Sequence, residues 1–242
     1  MAWLLPCVGK VPAHIRNTLS ITMSGASREP HAPVNRRPYN APLRAAKAAE
    51  TRRRIVTAAH ELFTTGGYLG TTVDEVAAAA GVSRPTVFVS VGGKPELLKL
   101  ARDYAIAGDD RPVPMPERAM FVEVWNEPDP SRTLALFARN MRRIYIRVAE
   151  LEHVLQAAAQ TDPDLTLLAE TSLQQRRHGC TLLARNVADK TDLRDGLSVR
   201  AAGDAVYALA SPDVFRLLTR VCAWSTRRYE SWLAGSLQRE LL

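Results

Sequence analysis

The chain has 242 residues, a net charge of +7 and 46% hydrophobic residues. That is enough for one large or two small domains with buried cores, and no apolar run approaches the roughly 20 residues that span a bilayer, so no membrane partner is expected. Three cysteines, Cys7, Cys180 and Cys222, are odd in number, far apart and without metal-type pairing, which fits a reducing cytoplasm.

The charge is unevenly placed. Residues 1–43 hold five Lys/Arg against Glu29, a net +4; residues 44–103 hold nine against six, a net +3; residues 104–242 hold eighteen of each. All the excess positive charge lies in the first 103 residues, the footprint expected of phosphate attraction by a basic head on a neutral body. Residues 1–43 show no sustained periodicity and collect Pro30, Pro33, Pro38 and Pro42. They read as a disordered, basic, proline-rich arm, either lying along a nucleic acid or an extension upstream of a start at Met23. Ala2 to Val8 is short and contains Pro6, and is not read as a signal peptide.

From Leu43 the pattern turns helical, with Ala45, Ala48, Ala49, Ile55, Ala58, Ala59, Leu62 and Phe63 on one stripe and a stop at Gly66-Gly67. Arg52, Arg53 and Arg54 lie mostly off the stripe, as a solvated face or as phosphate contacts. Thr72-Val-Asp-Glu75 has capping-box spacing and opens a second helix with Val73, Val76, Ala77 and Ala80 inward. Gly81 makes a turn and Ser83 caps a third helix with Pro85 in its first turn. Two short helices joined by a glycine turn form a helix-turn-helix. Arg84, Pro85, Thr86 and Phe88 then stand near the start of the helix that enters the major groove. Gly92-Gly93 breaks the chain before a connecting helix over 93–108, where Lys94 and the first-turn N–H groups suit a phosphate clamp.

After a linker over 108–116, a helix is expected from about Glu117 to Trp125, then a long one opening at Ser131. Asp162-Pro-Asp164 is expected to separate a short helix from one running to about Asp189. Ser198, Asp213 and Ser225 look like further caps. No strand-like alternation persists, so the fold class is all-α: a three-helix head over 44–92, the connecting helix, and a helical body over 109–242.

Residues 45–100 closely resemble the N-terminal domain of the TetR family of bacterial regulators. The resemblance rests on Ile55, Ala58-Ala59, Leu62-Phe63, Gly66-Gly67-Tyr68, Thr71-Thr72-Val73, Val76-Ala77, Ala80-Gly81-Val82-Ser83, Thr86-Val87-Phe88, Lys94 and Leu97-Leu98. It implies a homodimer that binds a double-stranded, near-palindromic operator and is released by a small-molecule effector held in the helical body. It also implies that Thr72 bonds a phosphate, that Ser83, Arg84 and Thr86 lie at the DNA face, and that Lys94 clamps a phosphate. Phe88 and Ser90 depart from the family's pattern, where a tyrosine and a histidine are usual; Pro85 contacts a thymine methyl or shapes the turn.

In the body, Trp125, Phe137, Met141, Tyr145, Cys180 and Tyr207 are the residues expected to line an effector cavity, although such positions at helical spacing also serve as core. Ala201, Ala202, Ala205 and Ala208, with Leu217, Leu218, Val221, Trp224, Trp232 and Leu233, suit a dimer interface or an intradomain core. The histidines His14, His31, His60, His153 and His178 show no metal-ligand spacing, His153 and His178 being expected as hydrogen-bonded structural residues. No nucleophile, zinc or nucleotide motif is found, so neither enzyme activity, metal nor cofactor is expected. The competing reading is an interaction or structural protein that keeps the helix-turn-helix without specific DNA binding.

Overall fold

Local capping chemistry sets the boundaries of the N-terminal helices. In the computed structural model, which describes residues 41–109, 111–194 and 196–242, α1 spans Ala41–Gly66 and stops where Gly67 turns left-handed, at φ +69°. Most of the arm expected over 1–43, together with Cys7, His14 and His31, lies outside the described residues. The helix α2 spans Val73–Ala80, and its capping box is complete: Thr72 Oγ1 accepts from the Glu75 N–H at 3.2 Å, and Glu75 Oε2 accepts from the Thr72 N–H at 2.8 Å. The seven-residue α3, Arg84–Ser90, starts at Ser83, whose hydroxyl accepts from the Thr86 N–H.

The turn glycine has two jobs. Gly81 sits at φ +62°, and a Cβ there would fall 2.6 Å from Arg54 Nη2. Arg54 uses that space to donate to the carbonyls of Ala80 and Gly81, at the C-terminal end of α2. Arg52 donates to the Ser90 carbonyl at 2.9 Å, at the end of α3. Helix C-termini leave carbonyls without intrahelical partners and carry partial negative charge, so a guanidinium satisfies both needs. Arg53 pairs instead with Glu50 along its own helix.

The helix α4, Lys94–Ala107, leaves the head and packs on both α1 and the central helix of the body. A 3-10 turn, Met115–Glu117, leads to α5, Ala119–Asn126. The 29-residue α6, Pro130–Ala158, runs through the middle of the body and is packed by α4, α5, α7, α10 and α9. Its apolar stripe includes Leu134, Phe137, Met141, Ile144, Tyr145, Val148 and Leu155. Then come α7, Pro163–Ala188, α8, Val199–Leu209, the short α9, Pro212–Arg216, a π-helical turn over Leu217–Val221, and α10, Thr226–Leu241.

Three expected boundaries move. Asp129, not Ser131, caps α6 and accepts the Ser131 and Arg132 N–H groups, because Pro130 is suited to the first helical position. The short helix expected before Asp162 is the end of α6, which runs unbroken to Ala158. Ser211, not Asp213, caps α9, again one residue before a proline.

Core residues extend without a break from Ile55 in α1 to Leu241 in α10, so head and body share one apolar interior. Ala202, Gly203 and Val206 are buried where α8 lies on α7, and a Cβ on Gly203 would stand 2.9 Å from the Thr181 Cα. Ala202 and Leu233 thus serve the chain's own core, whereas Ala201, Ala208, Leu217 and Val221 remain exposed. No helix among the described residues is long and apolar enough to cross a membrane.

Candidate functional site

Two places concentrate chemistry: the outer face of α2 and α3, and a cavity inside the body. On the outer face, Thr72, Ser83, Arg84, Pro85 and Phe88 are exposed, Thr86, Ser90 and Lys94 half-buried. Several of these polar groups are engaged with one another. Thr72 Oγ1 also donates to Glu75 Oε2 at 2.9 Å, and the backbone and hydroxyl bonds from Thr72 hold the Glu75 carboxyl below its usual range. The Ser83 and Thr86 hydroxyls lie 2.7 Å apart. Arg84 pairs with Asp74 at 3.1 Å and stands over the Phe88 ring at 5.6 Å. Both members of the Arg84–Asp74 pair are more than half exposed, so the pair is worth at most about 1 kcal/mol and yields readily to a phosphate or a base edge.

Lys94 is drawn back rather than outward. Its Nζ sits 4.4 Å from the centre of the Tyr68 ring, and the Tyr68 hydroxyl donates to Asp162 at 3.0 Å, at the start of α7. One of the N–H groups expected to grip a phosphate beside it is occupied, because Gly93 N donates to Glu96 Oε2 at 2.8 Å. The expected clamp is therefore reduced to Lys94 and the remaining first-turn N–H groups. Of the three consecutive arginines of α1, Arg52 and Arg54 hold helix ends, which explains their place off the apolar stripe. The sequence reading missed Val89, which is 90% exposed on α3, next to the half-exposed Phe88. Such a nearly bare valine is apolar surface that the chain's own core does not use.

The cavity lies between α4, α5, α6 and α7 and has a volume of about 70 Å³. Of the residues singled out for an effector, Trp125, Phe137, Met141, Tyr145 and Cys180 share its wall. Tyr207 does not; it lies on an adjoining outer cleft of about 540 Å³. Burial pushes the Cys180 thiol up to about 12 against the opposing charge of Arg176, so the thiol is an inert part of the wall. Burial likewise pushes the Tyr145 hydroxyl well up, and that hydroxyl donates to the Ala210 carbonyl. Trp125 stacks on Phe121 at 5.9 Å and donates from Nε1 to the Pro116 carbonyl at 3.0 Å.

The polar members of the wall went unread in the sequence. Arg102 of α4 donates from Nε to Glu152 of α6 at 2.8 Å, and both side chains are largely buried. Arg176 of α7 and Ser172 face the same space. Each was signalled by a polar residue inside an apolar stripe: Arg102 follows Leu98 by four, Glu152 follows Val148 by four, and Arg176 lies midway between Ser172 and Cys180. His153 and His178 are exposed on α6 and α7 rather than hydrogen-bonded structural residues, and no group of metal-ligating side chains occurs among the described residues.

A helix-turn-helix head continuous with a helical body enclosing a cavity is the architecture of a class of DNA-binding regulators. Residues 55–101 match the family model described as bacterial regulatory proteins, tetR family. Over 55 residues the chain is 46% identical to the HTH-type transcriptional regulator SrpR of Pseudomonas putida, a stretch covering 23% of this chain and 26% of SrpR. It is also 46% identical over 55 residues to the uncharacterised HTH-type transcriptional regulator TtgW, from a strain of the same species, covering 23% of this chain and 41% of TtgW. The matches thus span about a quarter and two fifths of those relatives' lengths.

Among solved structures, NalD of Pseudomonas aeruginosa, described as the secondary repressor of the MexAB-OprM multidrug efflux pump, superimposes with a TM-score of 0.60 at 22% identity, covering 81% of this chain and 98% of NalD. A TetR-family transcriptional regulator from Rhodococcus sp. gives a TM-score of 0.60 at 16% identity, covering 80% and 99%. At such identities the likeness is one of fold. The family match thus rests on residues 55–101, and beyond them the chain shares the fold of these regulators.

Proposed function

We propose that the chain is a homodimeric, effector-responsive repressor that binds a near-palindromic double-stranded DNA operator. The observation that carries this reading is the position of α4. It begins at Lys94, four residues after α3 ends at Ser90, and its Arg102 and Ile106 form part of the cavity wall. One helix therefore begins just past the groove-reading element, packs on α1 and reaches the interior of the body.

The size of the cavity supports a direction for the response. An engineered apolar cavity of ~150 Å³ takes benzene, and this one has about 70 Å³. A ligand with an aromatic or long alkyl body must widen it, and close-packed walls respond by shifting whole elements. Widening displaces α4 and with it the spacing of the two recognition helices of a dimer. A ligand acts only through unequal affinity for the closed and widened states, and the closed state is the one assigned to DNA binding.

In this division of labour, residues 44–92 read DNA, 93–108 transmit, and 109–242 bind effector and dimerise. Arg84 and Thr86 are assigned to base edges and phosphates, with Val89 added, and Thr72, Ser83, Pro85, Phe88, Ser90 and Lys94 to backbone contacts and helix placement. The exposed Ala201, Ala208, Leu217 and Val221 are assigned to the dimer interface. NalD's description as a repressor supports the same sign of regulation here.

The test is a gel shift of the full chain with the DNA immediately upstream of its own gene, at several salt concentrations. A specific shift that weakens steeply as salt rises is expected. Absence of any salt-sensitive shift would favour an interaction protein built on the same fold.

A further inference from the structure

The mouth of the internal cavity is lopsided in charge. Arg102, Glu152, Ser172, Arg176 and Pro212 line both the inner cavity and the outer cleft, so they stand at the throat between them. Arg102 and Glu152 neutralise each other at 2.8 Å, and Arg102 Nη1 also lies 3.5 Å from Asp103. Arg176 is different. Its Nη1 donates to the carbonyls of Tyr207 at 2.7 Å and Ala210 at 3.4 Å, and its guanidinium carbon lies 3.4 Å from the centre of the Tyr207 ring. These partners are neutral, and among the described residues no carboxylate lies within ion-pair distance of Arg176.

We propose that the effector is an apolar molecule carrying a single carboxylate, which docks on Arg176 at the throat while the apolar body enters the cavity beside Phe121, Phe137 and Met141. This deepens the effector-responsive reading and rests on it. The geometry favours an anion over a cation for a specific reason. Glu152 already accepts from Arg102, so a cationic ligand must compete with a buried partner there, and Asp213, the other carboxylate of the outer cleft, does not line the inner cavity. An anionic ligand meets a guanidinium held flat by an aromatic ring and two carbonyls, with its remaining N–H groups uncommitted. A planar fork of this kind matches a carboxylate bidentately. The charge of Arg176 already reaches the interior, where it opposes the effect of burial on Tyr145, Cys180 and Tyr229. Arg176 has no ion-pair partner at the throat, so one carboxylate suffices, and Asp213 on the outer cleft disfavours further negative charge on the ligand.

The test is calorimetric titration of the full chain with three probes of one chain length: octanoate, octan-1-ol and octylamine. Octanoate is expected to bind at least about tenfold more tightly than octan-1-ol, with octylamine weakest. Arg176→Gln should bring octanoate level with octan-1-ol while leaving the alcohol within about twofold, and Arg176→Lys should keep the preference for octanoate. Thermal melting followed by circular dichroism checks that both variants fold; if Arg176→Gln does not, the ranking on the wild-type chain decides alone. No octanoate binding, an alcohol or amine as tight as octanoate, or an unchanged preference in folded Arg176→Gln would overturn the assignment. Release of the upstream DNA is followed in parallel. Release by octan-1-ol or octylamine would sink the carboxylate alone, whereas absence of a salt-sensitive DNA shift would remove the regulator reading whatever the ligand ranking.

Discussion

The head and the body of this chain use charge in opposite ways. On the helix-turn-helix, Arg84 and Asp74 meet in solvent, more than half exposed, and bind each other weakly enough to exchange partners. Inside the body, Arg102 and Glu152 meet with little exposure, where each would be costly to strand. The same ion-pair chemistry thus supplies an exchangeable contact in one region and a fixed joint between α4 and α6 in the other. Solvent access decides which.

Removing one member of each pair breaks the comparison most directly. Glu152→Ala leaves Arg102 buried beside only the more distant Asp103, and is expected to destabilise the fold by about 3 kcal/mol, read from urea unfolding. An unfolding midpoint unchanged from wild type would show that solvent reaches the pair. Arg84→Ala should leave the melting temperature unchanged yet weaken operator binding by roughly 1–3 kcal/mol, measured by fluorescence anisotropy. If melting fell and affinity held, Arg84 would be a structural residue after all.

Two smaller effects sharpen the picture of the head. Arg54→Ala removes the donor from the Ala80 and Gly81 carbonyls and should lower stability by about 1 kcal/mol. The salt dependence of its DNA binding should match wild type; a slope smaller by about one would mean that Arg54 neutralises a phosphate. Phe88→Tyr adds a hydroxyl at an exposed position assigned to the backbone contacts and is expected to strengthen operator binding by up to ~1 kcal/mol. A tyrosine that leaves affinity untouched would place position 88 away from the backbone.

The head was legible because its instructions are local. Thr72 and Glu75, Gly81, and Ser83 and Pro85 each act within four residues, and each appears in the structure where the spacing put it. Prolines explain both misplaced caps: Pro130 and Pro212 take the first helical position, which moves the cap to Asp129 and Ser211. The arginines of α1 were ambiguous for a different reason. Whether Arg52 and Arg54 meet phosphates or carbonyls depends on helix ends 38 and 26 residues away.

The cavity was legible only in part. Helical spacing marked Trp125, Phe137, Met141, Tyr145 and Cys180 as inward, but an inward residue lines a cavity or fills a core according to how its neighbours pack. Tyr207 shows the limit, since its half-buried ring supports Arg176 in the outer cleft instead.

By itself, then, the sequence determined the helices and caps of the head, its positive charge and its family resemblance, because these follow from contacts a few residues apart and from charge summed over segments. Tertiary structure alone decided which charges pair and which stand uncompensated. Arg102, Glu152 and Arg176 come from three helices, and only their packing sets one pair at 2.8 Å and leaves the third cation facing neutral groups. Burial and distance, not residue type, separate a buried joint from a binding group.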